Sequence, residues 1–126
     1  MPHLTVHLPE NRLAGNEAAL LGALTEAIVG VYGEWARDLV GIRLGGVREG
    51  RLARGGKAVD TEVSVVLGVR AGIFDRPDAV EITGRLGSAL TGAIVQVLGE
   101  EVRQGTTVEL VASPPERMFV GGSPAG

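Results

Sequence analysis

The chain has 126 residues, a mass of 13.0 kDa and a formal net charge of −3, with 44% apolar and 21% charged residues. That is one domain's worth of chain with enough apolar surface to bury a core, which excludes intrinsic disorder. The acidic balance argues against nucleic acid as the main partner, and the absence of cysteine excludes disulfides, thiolate nucleophiles and cysteine-ligated metal.

The chain opens without a basic region followed by an apolar run, so no secretory signal is expected. No stretch reaches the roughly 18 apolar residues of a membrane span, because Glu26 and Glu34 interrupt the best candidate. The expectation is a cytoplasmic protein without a membrane partner. Leu4–Leu8 reads as a first strand. Leu20, Leu24, Ala27, Ile28 and Val31 then recur at three- and four-residue steps, predicting a helix with Asn16 as N-cap and Gly33 as stop. Val40–Leu44 is a second strand. The stretch from Gly45-Gly46 to Gly55-Gly56 reads as a hairpin or loop joining two halves. Val63–Leu67 is a third strand, with Thr5/Ser64, Val6/Val65 and Leu8/Leu67 matched at an offset of 59. A second helix starts with Pro77 at its first position and Asp78 and Glu81 in its first turn, carries Leu86, Leu90, Ile94 and Val97, and stops at Gly99. Thr106–Val111 is a fourth strand.

The two helices are copies. Residues 23–34 (ALTEAIVGVYGE) return as residues 89–100 (ALTGAIVQVLGE), identical at nine of twelve positions without a gap at an offset of 66. The change of offset from 59 to 66 makes the second strand-to-helix connection seven residues longer. The order is β-α-β twice, with halves at about 1–58 and 59–126. Right-handed crossovers predict a two-layer α+β domain, a four-stranded mixed sheet with both helices on one face. The other face is expected to be Val-rich and covered by further subunits of a closed oligomer.

Few residues offer chemistry. His3 and His7 share a strand face, but without a third ligand they make a poor metal set. No Ser-His-Asp order, P-loop or dinucleotide-binding glycine pattern is present. Arg43, Arg48, Arg51 and Arg54 cluster in mid-chain, either as an anion site or as a solvated basic loop. Pro2 remains. A small second residue permits removal of Met1, and the product is a secondary amine. An ordinary α-amino group has a pKa of about 7.7–8.0. Burial and a nearby arginine would lower that value and leave a neutral base at pH 7.

The opening Met1-Pro2-His3, the duplicated β-α-β order, Leu39-Val40-Gly41-Ile42-Arg43 after the first helix, and Asp60 leading to Gly68-Val69-Arg70-Ala71-Gly72 resemble the tautomerase superfamily. Within it the pattern is similar to 5-carboxymethyl-2-hydroxymuconate isomerase over about residues 1–100. The resemblance implies a homotrimer with sites between subunits, Pro2 as acid/base and Arg43 as a carboxylate ligand. There are two departures. Ile73 stands where the family has its second arginine, leaving Arg70 or Arg76 to substitute, and Pro114–Phe119 does not follow that isomerase.

The resulting expectation is an isomerase that shifts a proton in a small unsaturated oxo-acid or enol acid. Pro2 carries the proton and Arg43 and Arg70 bind a small anionic substrate, with no metal or organic cofactor needed. Asp38 is the feature that favours the alternative of a decarboxylase or hydratase, since the resemblance implies that an acid just before the second strand can orient water; it also reads as a solvated charge at a helix end. A non-catalytic trimeric binding or scaffold protein is the alternative from another class.

Overall fold

The computed structural model describes residues 2–124; the expected removal of Met1 lies outside the described residues. In chain order come strand β1 (His3–Pro9), a helical turn (Glu10–Leu13), helix α1 (Glu17–Tyr32), a 3-10 turn (Glu34–Ala36) and strand β2 (Gly41–Val47). A hairpin (Ala53–Arg54 with Lys57–Ala58) leads to strand β3 (Val63–Arg70), a 3-10 turn (Ala71–Asp75) and helix α2 (Ala79–Leu98). A further 3-10 segment (Glu100–Gly105) enters strand β4 (Thr106–Ser113), and a small hairpin (Phe119–Val120 with Ser123–Pro124) comes last.

The sheet runs β2-β1-β3-β4, with parallel outer pairs and an antiparallel central pair. This is the expected four-stranded mixed sheet with two helices. Val6 pairs with Val65, its own counterpart in the repeat, so an approximate twofold axis passes between them. The helix copies bury equivalent side chains: Leu20 with Leu86, Leu24 with Leu90 and Ile28 with Ile94 are all fully buried. Each such side chain contributes about 1.5–3 kcal/mol by burial. This shared packing requirement accounts for the near-identity of the two helices.

Three expectations need correction. The exposed sheet face is not Val-rich. Strand alternation sends Leu4, Val6, Leu8, Val63, Val65, Leu67 and Val69 into the core beneath the helices. The opposite face carries His3, Thr5, His7 and Ser64, with Arg43 in register with Thr5 and Glu109 with Val66. Gly45 and Gly46 are not loop residues but lie in β2. A Cβ on Gly45 would stand 2.9 Å from the His7 ring, and one on Gly46 would overlap the Glu10 carboxylate. Pro77 is not the first helical residue. It occupies the second position of a turn closed by Ala79 N–H to Arg76 C=O at 3.1 Å, where its fixed φ suits a type I turn. Gly55-Gly56 does form a turn, and both residues have positive φ (60° and 80°), as a type I′ hairpin requires.

Among the described residues no helix is long and apolar enough to cross a membrane.

Candidate active site

Pro2 lies just ahead of β1 and is buried, on the helix side by alternation with Leu4. Its carbonyl accepts a hydrogen bond from Gly41 N–H at 3.2 Å, which ties the chain start to the head of β2. Around it is a pocket of about 370 Å³, a size suited to a small ligand. Three elements build the walls. The end of α1 and the turn after it give Tyr32, Trp35 and Leu39. The end of β3 gives Val69 and Arg70, and the connection to α2 gives Gly72, Ile73 and Arg76.

Local chemistry fixes each wall. Tyr32 ends α1, and its carbonyl lacks an intrahelical partner; Trp35 Nε1–H donates to it at 2.8 Å. The two rings stand 5.8 Å apart, tilted by 48°. Arg37 clamps the same corner through Glu26 (2.7 Å) and Glu34 (2.5 Å), and holds both carboxyls below their ordinary range. Arg76 makes a two-pronged contact with Asp78, Nε–Oδ1 and a second guanidinium N–Oδ2 both at 2.9 Å, and keeps that carboxyl low as well. Burial pushes the Tyr32 phenol up, with Arg76 offsetting part of the effect. Tyr32 is therefore a neutral hydrogen-bond donor at pH 7.

The pocket brings Pro2 and Arg70 together and adds Arg76, the alternative cation of the sequence reading. Ile73 is 7% exposed and forms an apolar wall. Arg43 does not reach this pocket within one chain: it is exposed on β2 and paired in register with Thr5 on the face away from the helices. Asp38 is exposed and is not among the pocket residues. His3 and His7 diverge, the first lying over Gly68 of β3 and the second against Gly45 of β2. Of the basic cluster, Arg54 is paired with Glu62 at 2.9 Å. Tyr32, Trp35 and Leu39 were missed by sequence reasoning. The available signal was the only Tyr and the only Trp of the chain falling three residues apart at a helix end.

The end related to this pocket by the approximate twofold axis is filled. The strand offset places Thr61 in the position of Pro2. There Arg12 donates to the Asp60 carbonyl and to Glu101 at 3.2 Å, and Gly105 packs closely on the Thr61 carbonyl.

Fold and site together define a chain with the tautomerase fold, two β-α-β units joined in one polypeptide and a proline at the floor of a cationic, aromatic-walled pocket. The solved structures it resembles include a fused 4-OT, a wild-type asymmetric trimer, with 27% identity, coverage of 98% of this chain and 95% of that one, and a TM-score of 0.83. A fused 4-OT described as a symmetric trimer matches at 27% identity, the same coverage and a TM-score of 0.82. A member of the cis-3-chloroacrylic acid dehalogenase family shares the fold at 20% identity, 97% and 82% coverage and a TM-score of 0.79. These neighbours are tautomerase-superfamily enzymes, which supports a tautomerase-like enzyme here. No family model and no curated protein matches the chain.

Proposed function

We propose that the protein is an isomerase that moves a proton within a small unsaturated oxo-acid or enol acid, with Pro2 as acid/base once Met1 is removed. The observation that carries this reading is a buried Pro2 sharing one pocket with two arginines and a neutral tyrosine. Burial and neighbouring guanidinium groups both disfavour the ammonium form, so the amine is available as a base near neutrality. In the ketonisation direction, neutral Pro2 takes the substrate enol O–H proton as the C=O forms, and the protonated amine then delivers that proton to the neighbouring carbon. The base and acid forms of Pro2 alternate, and charge is conserved over the cycle. Arg70 and Arg76 receive the substrate carboxylate, and Tyr32 O–H faces the oxygen that carries developing charge. Trp35, Leu39 and Ile73 offer apolar contact to the unsaturated part of the substrate.

A homotrimer is part of the proposal, supported by the trimeric fused 4-OT structures of the same fold. It gives the exposed Arg43 a route into the reaction, from the sheet of one chain to the pocket of another. A structure of similar fold, 22% identical and with a TM-score of 0.83, is Pt0534 inactivated by 2-oxo-3-pentynoate, which makes this acid a suitable covalent probe for Pro2.

The test compares chain beginning at Pro2 with chain carrying one extra residue ahead of it, assayed by ultraviolet loss of phenylenolpyruvate. The extension converts the amine into an amide and should abolish turnover while leaving the unfolding midpoint in place. Activity of the unblocked chain should rise through a pH at or below about 7.7–8.0, and Pro2→Ala should lose activity only in part. Full turnover by the extended chain overturns the mechanism.

A further inference from the structure

We propose that Asp78 is a built-in stand-in for the substrate carboxylate, displaced from Arg76 by an arriving ligand and received by the N-terminus of α2. The inference rests on the isomerase reading of the pocket, and it concerns what happens at Arg76 before the chemistry. Arg76 and Asp78 are the first and third residues of the turn closed by Ala79 N–H to Arg76 C=O at 3.1 Å, which holds the two side chains together. Their contact has the geometry that a bound carboxylate would adopt, two parallel N–H···O bonds of 2.9 Å. Both side chains are about half exposed, 52% and 45%, so the pair is exchangeable and not sealed in the core.

The second observation is what Asp78 does not do. It is the N-cap of α2, and aspartate is among the preferred N-cap residues because its carboxylate accepts from the second or third helical N–H. Here those are the amides of Val80 and Glu81, yet the Asp78 side chain makes no cap hydrogen bond. The carboxylate thus has two seats within one residue's reach: the guanidinium it now occupies and the helix end it leaves unused. A ligand that takes Arg76 moves Asp78 to the second seat and does not leave it unpaired. Exchange is then close to balanced for a carboxylate ligand and unproductive for an uncharged ketone, which makes Asp78 a specificity-determining residue.

The experiment titrates chain beginning at Pro2 with phenylpyruvate, read by the fluorescence of Trp35 and by the amide proton shifts of Val80 and Glu81. In the wild type, saturation should move one of these two amides downfield as the carboxylate arrives. Asp78→Ala, which removes the competitor, should bind phenylpyruvate about two- to fivefold more tightly, the worth of an exposed ion pair, and should lack the amide shift. Asp78→Asn keeps a capping acceptor and guards against loss of the helix start; it should also bind more tightly. Adding Arg76→Ala to either variant should cancel the gain, and phenylacetone, without a carboxylate, should show neither effect. Unchanged or weaker phenylpyruvate binding by both Asp78 variants, immobile Val80 and Glu81 amides at saturation, or no binding at all overturns the proposal. Failure of the proline reading looks different: turnover is absent while the exchange at Arg76 persists.

Discussion

Replacing Gly68 by alanine tests how the floor of the pocket is held. An added Cβ would stand 2.0 Å from His3 Cε1 and 2.1 Å from Nε2, well inside the roughly 3.5–4.0 Å of ordinary contact. The clash is with a ring lying flat across the strand, and the ring's buried Nδ1 has no hydrogen-bond partner to hold it there. The ring must therefore rotate away or the β1–β3 pairing must open at its His3–Gly68 rung. Overpacking of this kind costs about 1–3 kcal/mol. His3 is the residue directly after Pro2, so a displacement of about 1 Å reaches the amine proposed as acid/base and, on that proposal, costs on the order of 100-fold in rate. Urea unfolding gives the first quantity and kcat/KM for phenylenolpyruvate ketonisation the second. Adding His3→Ala to Gly68→Ala removes the obstructing ring and should recover most of both losses. Wild-type stability and activity in Gly68→Ala, or deficits that persist unchanged without the ring, would refute the reasoning.

Two further outcomes are expected. Light scattering should give about three times the 13.0 kDa chain mass. In that assembly Arg43→Ala should lower kcat/KM by about 1.5–3 kcal/mol, roughly 10- to 150-fold, with folding intact, while Arg51→Ala in the loop does little. Mixed and reassembled with chains blocked at Pro2, Arg43→Ala chains should regain part of the activity; a monomer, or mixtures with no regain, removes Arg43 from the site. On the stability side, Arg37 depresses the carboxyl pKa of Glu26 and Glu34, mainly by hydrogen bonding to each. A depressed folded-state pKa gives stability that is present at neutral pH and lost as the pH falls below the unfolded value, about 4.3 for glutamate. Arg37→Ala should therefore flatten the acid limb of a stability–pH curve, and superimposable acid limbs would show that the clamp is not coupled to folding.

Where periodicity and burial pull in the same direction, the elements were legible. Leu20, Leu24 and Ile28 and their counterparts Leu86, Leu90 and Ile94 mark both helices, and Gly33 and Gly99 end them, each with positive φ. The four-stranded mixed sheet followed from the repeated β-α-β order, whereas the strand order β2-β1-β3-β4 was not read from the sequence. The polarity of the sheet's open face was misread because Val63, Val65 and Val69 were counted without being assigned a side. Strand alternation gives all three to the core. Gly45-Gly46 was misread because a glycine pair signals a turn unless a neighbouring side chain occupies the space of its Cβ, as His7 and Glu10 do here. At the candidate site, Pro2 was singled out by its chemistry and lies in the pocket, whereas Arg76 stood only as one of two candidates for a second cation. Trp35 and Tyr32 were passed over as pocket residues because they meet Pro2 through tertiary packing, although their pairing at a helix end was a signal.

The duplication also explains why the Pro2 pocket is not repeated around Thr61, the counterpart of Pro2. An approximate twofold axis between Val6 and Val65 makes the two ends of the central strand pair equivalent in backbone. The two connections that leave the central strands differ. After β1 the chain turns at once through Glu10–Leu13, buries Leu13 and sends Arg12 onto the Asp60 carbonyl and Glu101, closing that end. The second connection is the longer one, by the seven residues that separate offsets of 59 and 66. Gly72, Ile73 and Arg76, three of the nine pocket residues, lie in that connection, and Val69 and Arg70 end the strand that leads into it. Helix residues could not diverge freely, since both copies pack on the same sheet through the same buried positions. The connections were free to change, because a surface loop tolerates insertion at small thermodynamic cost. The break in an otherwise regular repeat is thus the part of the sequence that builds the site, and in such duplicated chains the change of offset is the first place to search for one.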